Sequence, residues 1–255
     1  MSFPKTMYPA TWSRERRTTV SISLAMLTML VCIWGLALPL SLLPAPIGPA
    51  ASLFAEGAKW TLQLTALSGP IGIVLGFLVA LAKLSKWLPL RWAAEFYIWV
   101  LRGTPLLVQV LFAYATLGAL DVFYVAALAL ALNVGAYNAE AIRAGILAVP
   151  KGQIEAARSL GLGSFLTFWD VVLPQATRVA LPPLVNNVVS LLKDSSLAYS
   201  IGVVELLNVA QQVHSTSYQP VPVFTALGAI YLLMTTIMTR ISNALEQQLD
   251  VERHV

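Results

Sequence analysis

The 255 residues are 58% hydrophobic and 11% charged, with a formal net charge of +4 and a mean hydropathy of +0.75. A soluble domain carries about a quarter charged residues, so this composition excludes an ordinary soluble globular protein and points to five or six spans joined by short loops. One cysteine, Cys32, and two histidines far apart in sequence, His214 and His254, exclude a disulfide framework and argue against a metal centre built from His and Cys.

In chain order, residues 1–19 form a basic tail ending in RERRTT. The apolar run from Val20 to about Leu43 exceeds the roughly 7–15 residues of a signal-peptide core, and is read as a retained helix rather than a cleaved one. Charge-free runs at 18–55, 60–82 and 215–239 are long enough to span. Shorter ones at 103–120 and 122–139 become spans once extended, and 179–200 is interrupted by Lys193 and Asp194. The expectation is six helices, at 20–43, 60–82, 93–119, 122–142, 182–201 and 222–243. A tight turn near Asp121 separates the third and fourth, and PAPIGPA at 44–50 is an outer connection.

Cations decide the orientation. If six spans alternate, Lys5, Arg14, Arg16, Arg17, Lys83, Lys86, Arg91, Arg143, Lys151, Arg158, Arg178, Arg240 and Arg253 fall on one side, and only Lys59 on the other. Both termini are therefore expected in the cytoplasm, and the positive charge is a membrane-orientation signal, not a nucleic-acid surface. Trp12, Trp60, Trp87 and Trp92 sit near span ends, where indole rings anchor at the interface. Gly72 and Gly76 in IGIVLGF suit close helix packing, and His214, in an uncharged outer stretch, is expected to be solvated, with contact to a delivery protein as the alternative.

The segment EAARSLGLGSFLTFWDVVLP, residues 155–174, falls on the cytoplasmic side in this scheme. KGQIEAARSL favours a helix, Gly161 and Gly163 break it, and Ser164 can cap a second short helix through Asp170, ending before Pro174. Phe165, Leu166, Phe168 and Trp169 give that helix more apolar surface than a solvated loop carries, so it is either an interfacial helix or a docking element.

Glu155, Ala156, Ala157, Gly161, Val171, Leu173 and Pro174 follow the spacing EAA, three residues, Gly, nine residues, an aliphatic, one residue, Leu-Pro. This resembles the EAA loop of ABC importer permeases, with Val171 where isoleucine is usual. RGTPLLVQ at 102–109, AYNAEAIRAGILAVPKGQ at 136–153 and LPPLVNNVVSLLKDSSLAYSIGVVELL at 181–207 are similar to the polar amino acid uptake branch: glutamine, histidine, arginine and opine permeases. The likeness covers about 56–245. It departs in an additional N-terminal helix and in Asn186–Asn187, where Gly-Asn is common.

The resemblance implies an all-α polytopic fold, a type I ABC importer transmembrane domain with cytoplasmic coupling helices. Its parts are a cytoplasmic tail at 1–19, an extra transmembrane helix at 20–44, the permease domain at 56–245 and a cytoplasmic tail at 246–255. It implies residence in a bacterial cytoplasmic membrane, an ATPase subunit dimer docked on the loop and a second permease chain, identical or related. An extracytoplasmic amino-acid-binding protein and membrane lipid complete the partners, and no nucleic acid is among them. The alanines allow close approach, Glu155 orients the helix end and Gly161 provides the bend.

Counted along straight spans, Arg102 and Lys193 lie about 15–17 Å deep, near the middle of a core about 30 Å thick. Charges there are costly unless paired or set in a polar cavity. RGTP predicts a helix broken beside Arg102, exposing backbone donors. Arg102 or Lys193 is expected to meet a substrate carboxylate, and Asp194 or Glu140 its ammonium group or side chain. Structural pairs, Lys193 with Asp194 and Arg102 with Glu95, are the alternative. Asn138 is expected to hydrogen-bond between helices. No G-x-x-x-x-G-K-[ST] motif is present, and no nucleophile–base constellation can be read. The chain is thus expected to bind no cofactor, with ATP and magnesium in the partner ATPase, and not to be an enzyme by itself. A stand-alone secondary transporter or channel is the alternative function.

Overall fold

The computed structural model describes residues 14–251, and among them there is no strand. Arg14–Trp34 (α1) and Ala37–Ser41 (α2) lead to Ala51–Leu84 (α3), Leu88–Gly103 (α4), Leu106–Leu117 (α5) and Val122–Leu147 (α6). Lys151–Ser159 (α7), Ser164–Leu166 (α8), Leu173–Asp194 (α9), Leu206–Ser217 (α10) and Pro220–Val251 (α11) follow. Trp12, Lys5, Arg253 and His254 lie outside the described residues.

Among the described residues, four stretches are long and apolar enough to cross a membrane: Thr19–Ser41, Ala51–Leu84, Val122–Leu147 and Pro220–Ala244. The expected third span is α4 plus α5, bent by 111° at the break after Gly103, so it counts as a fifth only as a pair. The expected span at 182–201 is corrected: α9 starts earlier, at Leu173, and stops at Asp194, with a 3₁₀ segment over Ser195–Ile201. Arg178, Asn186, Asn187, Lys193 and Asp194 keep it outside the apolar set. The span expected at 60–82 likewise begins at Ala51. Glu56 and Lys59 do not stop it, because they pair with each other at 2.7 Å. Asp121 does mark the expected turn, and its carboxylate caps α6 by accepting from Phe123 N at 2.8 Å.

The chain divides into two compact units, one running through Leu64 and resuming at Leu192, the other Thr65–Leu191. In the first, α1, α2, the start of α3, α10 and α11 close over Met29, Ile33, Leu40, Phe54, Leu206, Val223 and Met234, all buried. Glu205 is fully buried as the N-cap of α10, accepting from Leu207 N and Asn208 N, each at 2.8 Å.

In the second unit, α6 is the central helix, with Val125, Leu130, Ala136 and Asn138 fully buried. Lipid supplies no hydrophobic drive for helices to associate, so close packing and interhelical hydrogen bonds must hold them. Both occur where the rest of α3 crosses α6. A Cβ at Gly72 would collide with Val134, and one at Gly76 would lie 2.6 Å from Cβ of Asn138 and 3.0 Å from the Gly135 carbonyl. Asn187 Nδ2 donates to Asn138 Oδ1 at 2.9 Å, stitching α9 to α6.

Candidate coupling segment and translocation residues

The loop between α6 and α9 is built as two short helices around a left-handed residue. Gly161 has φ of +84°. Its N–H bonds to the Arg158 carbonyl at 2.9 Å, and Leu162 N reaches back to the Ala157 carbonyl at 3.1 Å. That pair of bonds closes the end of α7 as a Schellman motif, and an L side chain at φ near +84° would be strained. Glu155 and Ala156 are exposed on α7, whereas Ala157 is buried.

Two expectations about the second half are corrected. Ser164 is the first helical residue rather than the cap; Gly163 occupies the cap position and makes no side-chain bond. Pro174 does not end a helix. Thr167–Val172 widens into a π turn, in which Leu173 N bonds to the Phe168 carbonyl, and the chain runs on into α9. Proline lacks the N–H that a regular α turn needs, and the wider turn absorbs that loss. Val149, Val172 and Ala176 bury this segment's inner face, with Phe168 against them. A cleft of about 350 Å³ lined by Lys151, Ile154, Arg158 and Phe168 opens beside it. Leu160, Phe165, Leu166 and Trp169 remain exposed, Leu160 at 83% and Phe165 at 73%. This is more exposed apolar area than a solvated loop ordinarily carries.

The charged candidates separate into different roles. Arg102 lies in the last turn of α4, beside the predicted break. The 111° bend removes the straight-span basis of its depth estimate, and the early start of α9 does the same for Lys193. Arg102 is exposed, and its guanidinium lies 5.0 Å from the centroid of the Tyr137 ring on α6. The alternative pairing with Glu95 is not formed; Glu95 accepts from Arg91 at 3.0 Å. Lys193 is exposed and Asp194 half-buried, and they form no ion pair with each other. Glu140 is engaged within the bundle, receiving Lys83 from α3 on one oxygen and Arg143 on the other, the latter at 2.9 Å.

Asn138 makes the expected interhelical bond, while its own Nδ2 is buried without a partner. His214 is half-buried rather than simply solvated: its Nδ1 is buried and its ring stands 5.5 Å from that of Phe224. Sequence reading missed three polar residues with structural work, Gln109, Asn133 and Glu205. The available signal was the presence of lone amides and one acid inside otherwise apolar runs.

A description of the family of binding-protein-dependent transport system inner membrane components matches residues 72–251 of this chain. The chain belongs to that family. It is 40% identical over 221 residues to the L-cystine transport system permease protein TcyB of Bacillus subtilis, covering 85% of this chain and 93% of that one. It is 42% identical over 213 residues to the octopine transport system permease protein OccM of Rhizobium radiobacter, covering 78% and 86%. A crystal structure described as an amino acid ABC transporter with histidines superposes with a TM-score of 0.74 at 39% identity, over 78% of this chain and 95% of that one. These likenesses place the chain among permease subunits of ABC importers, as the spacing of residues 155–174 implied. It is a multi-pass membrane protein of the type I importer fold.

Proposed function

We propose that this permease moves a polar amino acid, or a zwitterion of similar size such as an opine, inward across a bacterial cytoplasmic membrane, driven by a separate ATPase. The observation that carries the reading is the segment around Gly161. It combines a glycine-terminated helix with exposed Glu155 and Ala156 and a neighbouring exposed apolar surface. A pair of ATPase subunits docks there and transmits its closure to α6 and α9, the helices that flank the segment. ATP and magnesium belong to that partner, and this chain binds no cofactor and catalyses no covalent step. An extracytoplasmic binding protein delivers the substrate, and a second permease chain, identical or related, completes the path. With α9 taken as a sixth crossing despite its polar residues, both termini and the coupling segment face the cytoplasm, a sidedness supported by the cation distribution.

Arg102 or Lys193 meets the substrate carboxylate, and Asp194 the ammonium group. The exposure of Arg102 and Lys193 in a chain this apolar supports an aqueous path beside each. Glu140 is assigned to the bundle, because both its oxygens are already engaged by cations.

Reconstitution in proteoliposomes tests the whole reading, with labelled L-arginine, L-glutamine, L-cystine and octopine as probes. Uptake that requires the ATPase, internal or external ATP on the ATPase side, and the binding protein is expected. Accumulation by the permease alone would support a stand-alone carrier and overturn the proposal.

A further inference from the structure

The break between α4 and α5 leaves a particular main-chain group without its helical partner. In a continuous helix the Leu101 carbonyl would accept from the N–H of residue 105, and residue 105 is proline. In an apolar surround a bare carbonyl is not tolerated, so another donor must reach it.

Two side-chain amides do. Gln109 Nε2, one turn into α5, donates to the Leu101 carbonyl at 2.8 Å and to the Thr104 carbonyl at 3.1 Å. Asn133 Nδ2, buried on α6, donates to the same Leu101 carbonyl at 3.2 Å and to Gln109 Oε1 at 2.9 Å. The two amides therefore bond each other and both bond the broken backbone. Thr104 adds its hydroxyl, which accepts from Gln109 Nε2 at 2.9 Å and donates to the Val100 carbonyl at 2.8 Å.

Position matters as much as satisfaction. Asn133 and Tyr137 are four residues apart, so they share one face of α6. Asn133 holds the main chain of residue 101, and Tyr137 stacks under the side chain of residue 102. One turn earlier on α4, Tyr97 OH donates to the Leu132 carbonyl at 2.6 Å. The end of α4 is thus tied to α6 at Tyr97, Leu101 and Arg102 in succession. A cavity of about 450 Å³ lies against the elbow, with Leu101, Thr104 and Gln109 in its wall.

We propose that Gln109 and Asn133 are positioning residues for transport: they fix the α4–α5 elbow and thereby aim Arg102, without touching substrate themselves. The inference rests on the reading that Arg102 meets the substrate carboxylate.

The test uses the permease reconstituted with its ATPase and binding protein, in a Cys32→Ser background. Spin labels at Phe96→Cys and Phe112→Cys, two exposed positions on α4 and α5, report the elbow by a distance distribution. Gln109→Met and Asn133→Leu keep volume and remove the bonds, and Pro105→Ala, a milder change, restores the missing N–H. Each is expected to broaden the wild-type distribution. Gln109→Met is also expected to raise the KM for the transported probe by at least about threefold while basal ATP hydrolysis holds, and to add little to Arg102→Gln. Gln109→Asn, an amide one carbon shorter, is expected to restore part of the affinity. Unchanged distance distributions in all three variants overturn the brace. A broadened distribution with unchanged KM, while Arg102→Gln raises KM, overturns the aiming role alone. If Arg102→Gln itself leaves KM unchanged, the substrate role of Arg102 has failed, and the aiming role falls with it.

Discussion

The guanidinium of Arg102, at the last turn of α4, rests 5.0 Å from the ring centroid of Tyr137 in the middle of α6. This is a cation held by an aromatic face and not by a carboxylate, so its full charge remains available to an anion. A cation–π contact contributes about 0.5–2 kcal/mol depending on desolvation. Tyr137→Phe keeps the ring and is expected to leave uptake kinetics within about twofold of wild type. Tyr137→Ala is expected to raise the KM roughly 2- to 30-fold, the same energy expressed as affinity. Equal behaviour of the two variants would remove the ring from the account.

The crossing of α3 and α6 has no room for a side chain at Gly76, where a Cβ would lie 2.6 Å from Asn138 Cβ and 3.0 Å from the Gly135 carbonyl. Gly76→Ala is expected to cost about 1–3 kcal/mol, through forced separation of the helices. Gly228 on α11 has nothing within 4 Å of a Cβ, so Gly228→Ala serves as the matched control. Thermal stability of the detergent-solubilised chain, followed by size-exclusion fluorescence, is expected to drop for Gly76→Ala and not for Gly228→Ala.

Much of this architecture was legible from composition and spacing. Apolar runs identified most of the spans, RGTP announced the break at Gly103, and the EAA spacing marked the family. What escaped was set by contacts remote in sequence. Residues 182–201 read as a separate span, because nothing local shows that the π turn carries the chain past Pro174 into one longer helix. Glu140 read as a substrate candidate because its partner Lys83 lies 57 residues away. Gln109 was visible within RGTPLLVQ, yet its role depends on Asn133, which a linear reading does not bring to it.

Glu205 is fully buried at the start of α10, where Tyr231 OH also donates to it at 3.1 Å and Thr61 Oγ1 approaches at 3.4 Å. Burial is the largest influence and pushes its carboxyl up to about 7 from the usual 4.5, against the opposing pull of these donors. A raised acid pKa means that the fold favours the protonated form. The stabilisation is therefore complete below pH 4.5 and is lost as pH rises through 7. The thermal midpoint of wild type is expected to fall between about pH 4.5 and 7 and to level off above that, by an amount equivalent to about 3 kcal/mol. Glu205→Gln, which cannot ionise, is expected to show a flatter dependence over that window. A steeper one would contradict the assignment.

Glu140 neutralises Lys83 and Arg143 together, so removing it leaves two cations facing each other. These groups are partly exposed, which limits the cost to roughly 1–2 kcal/mol. Glu140→Gln is expected to lower thermal stability while leaving the KM for the transported amino acid unchanged. A raised KM with full stability would return Glu140 to the substrate path.

The most direct measurement of the central claim is co-purification of the ATPase with wild type, Glu155→Lys and Gly161→Trp, each expressed with it and checked for intact folding in the membrane. Glu155 is exposed on the proposed docking surface, and Gly161 sets the bend at φ of +84°. The account predicts that wild type retains the ATPase and that both variants lose it. Retention of the ATPase by both variants, or its absence from wild type, would contradict docking at this segment.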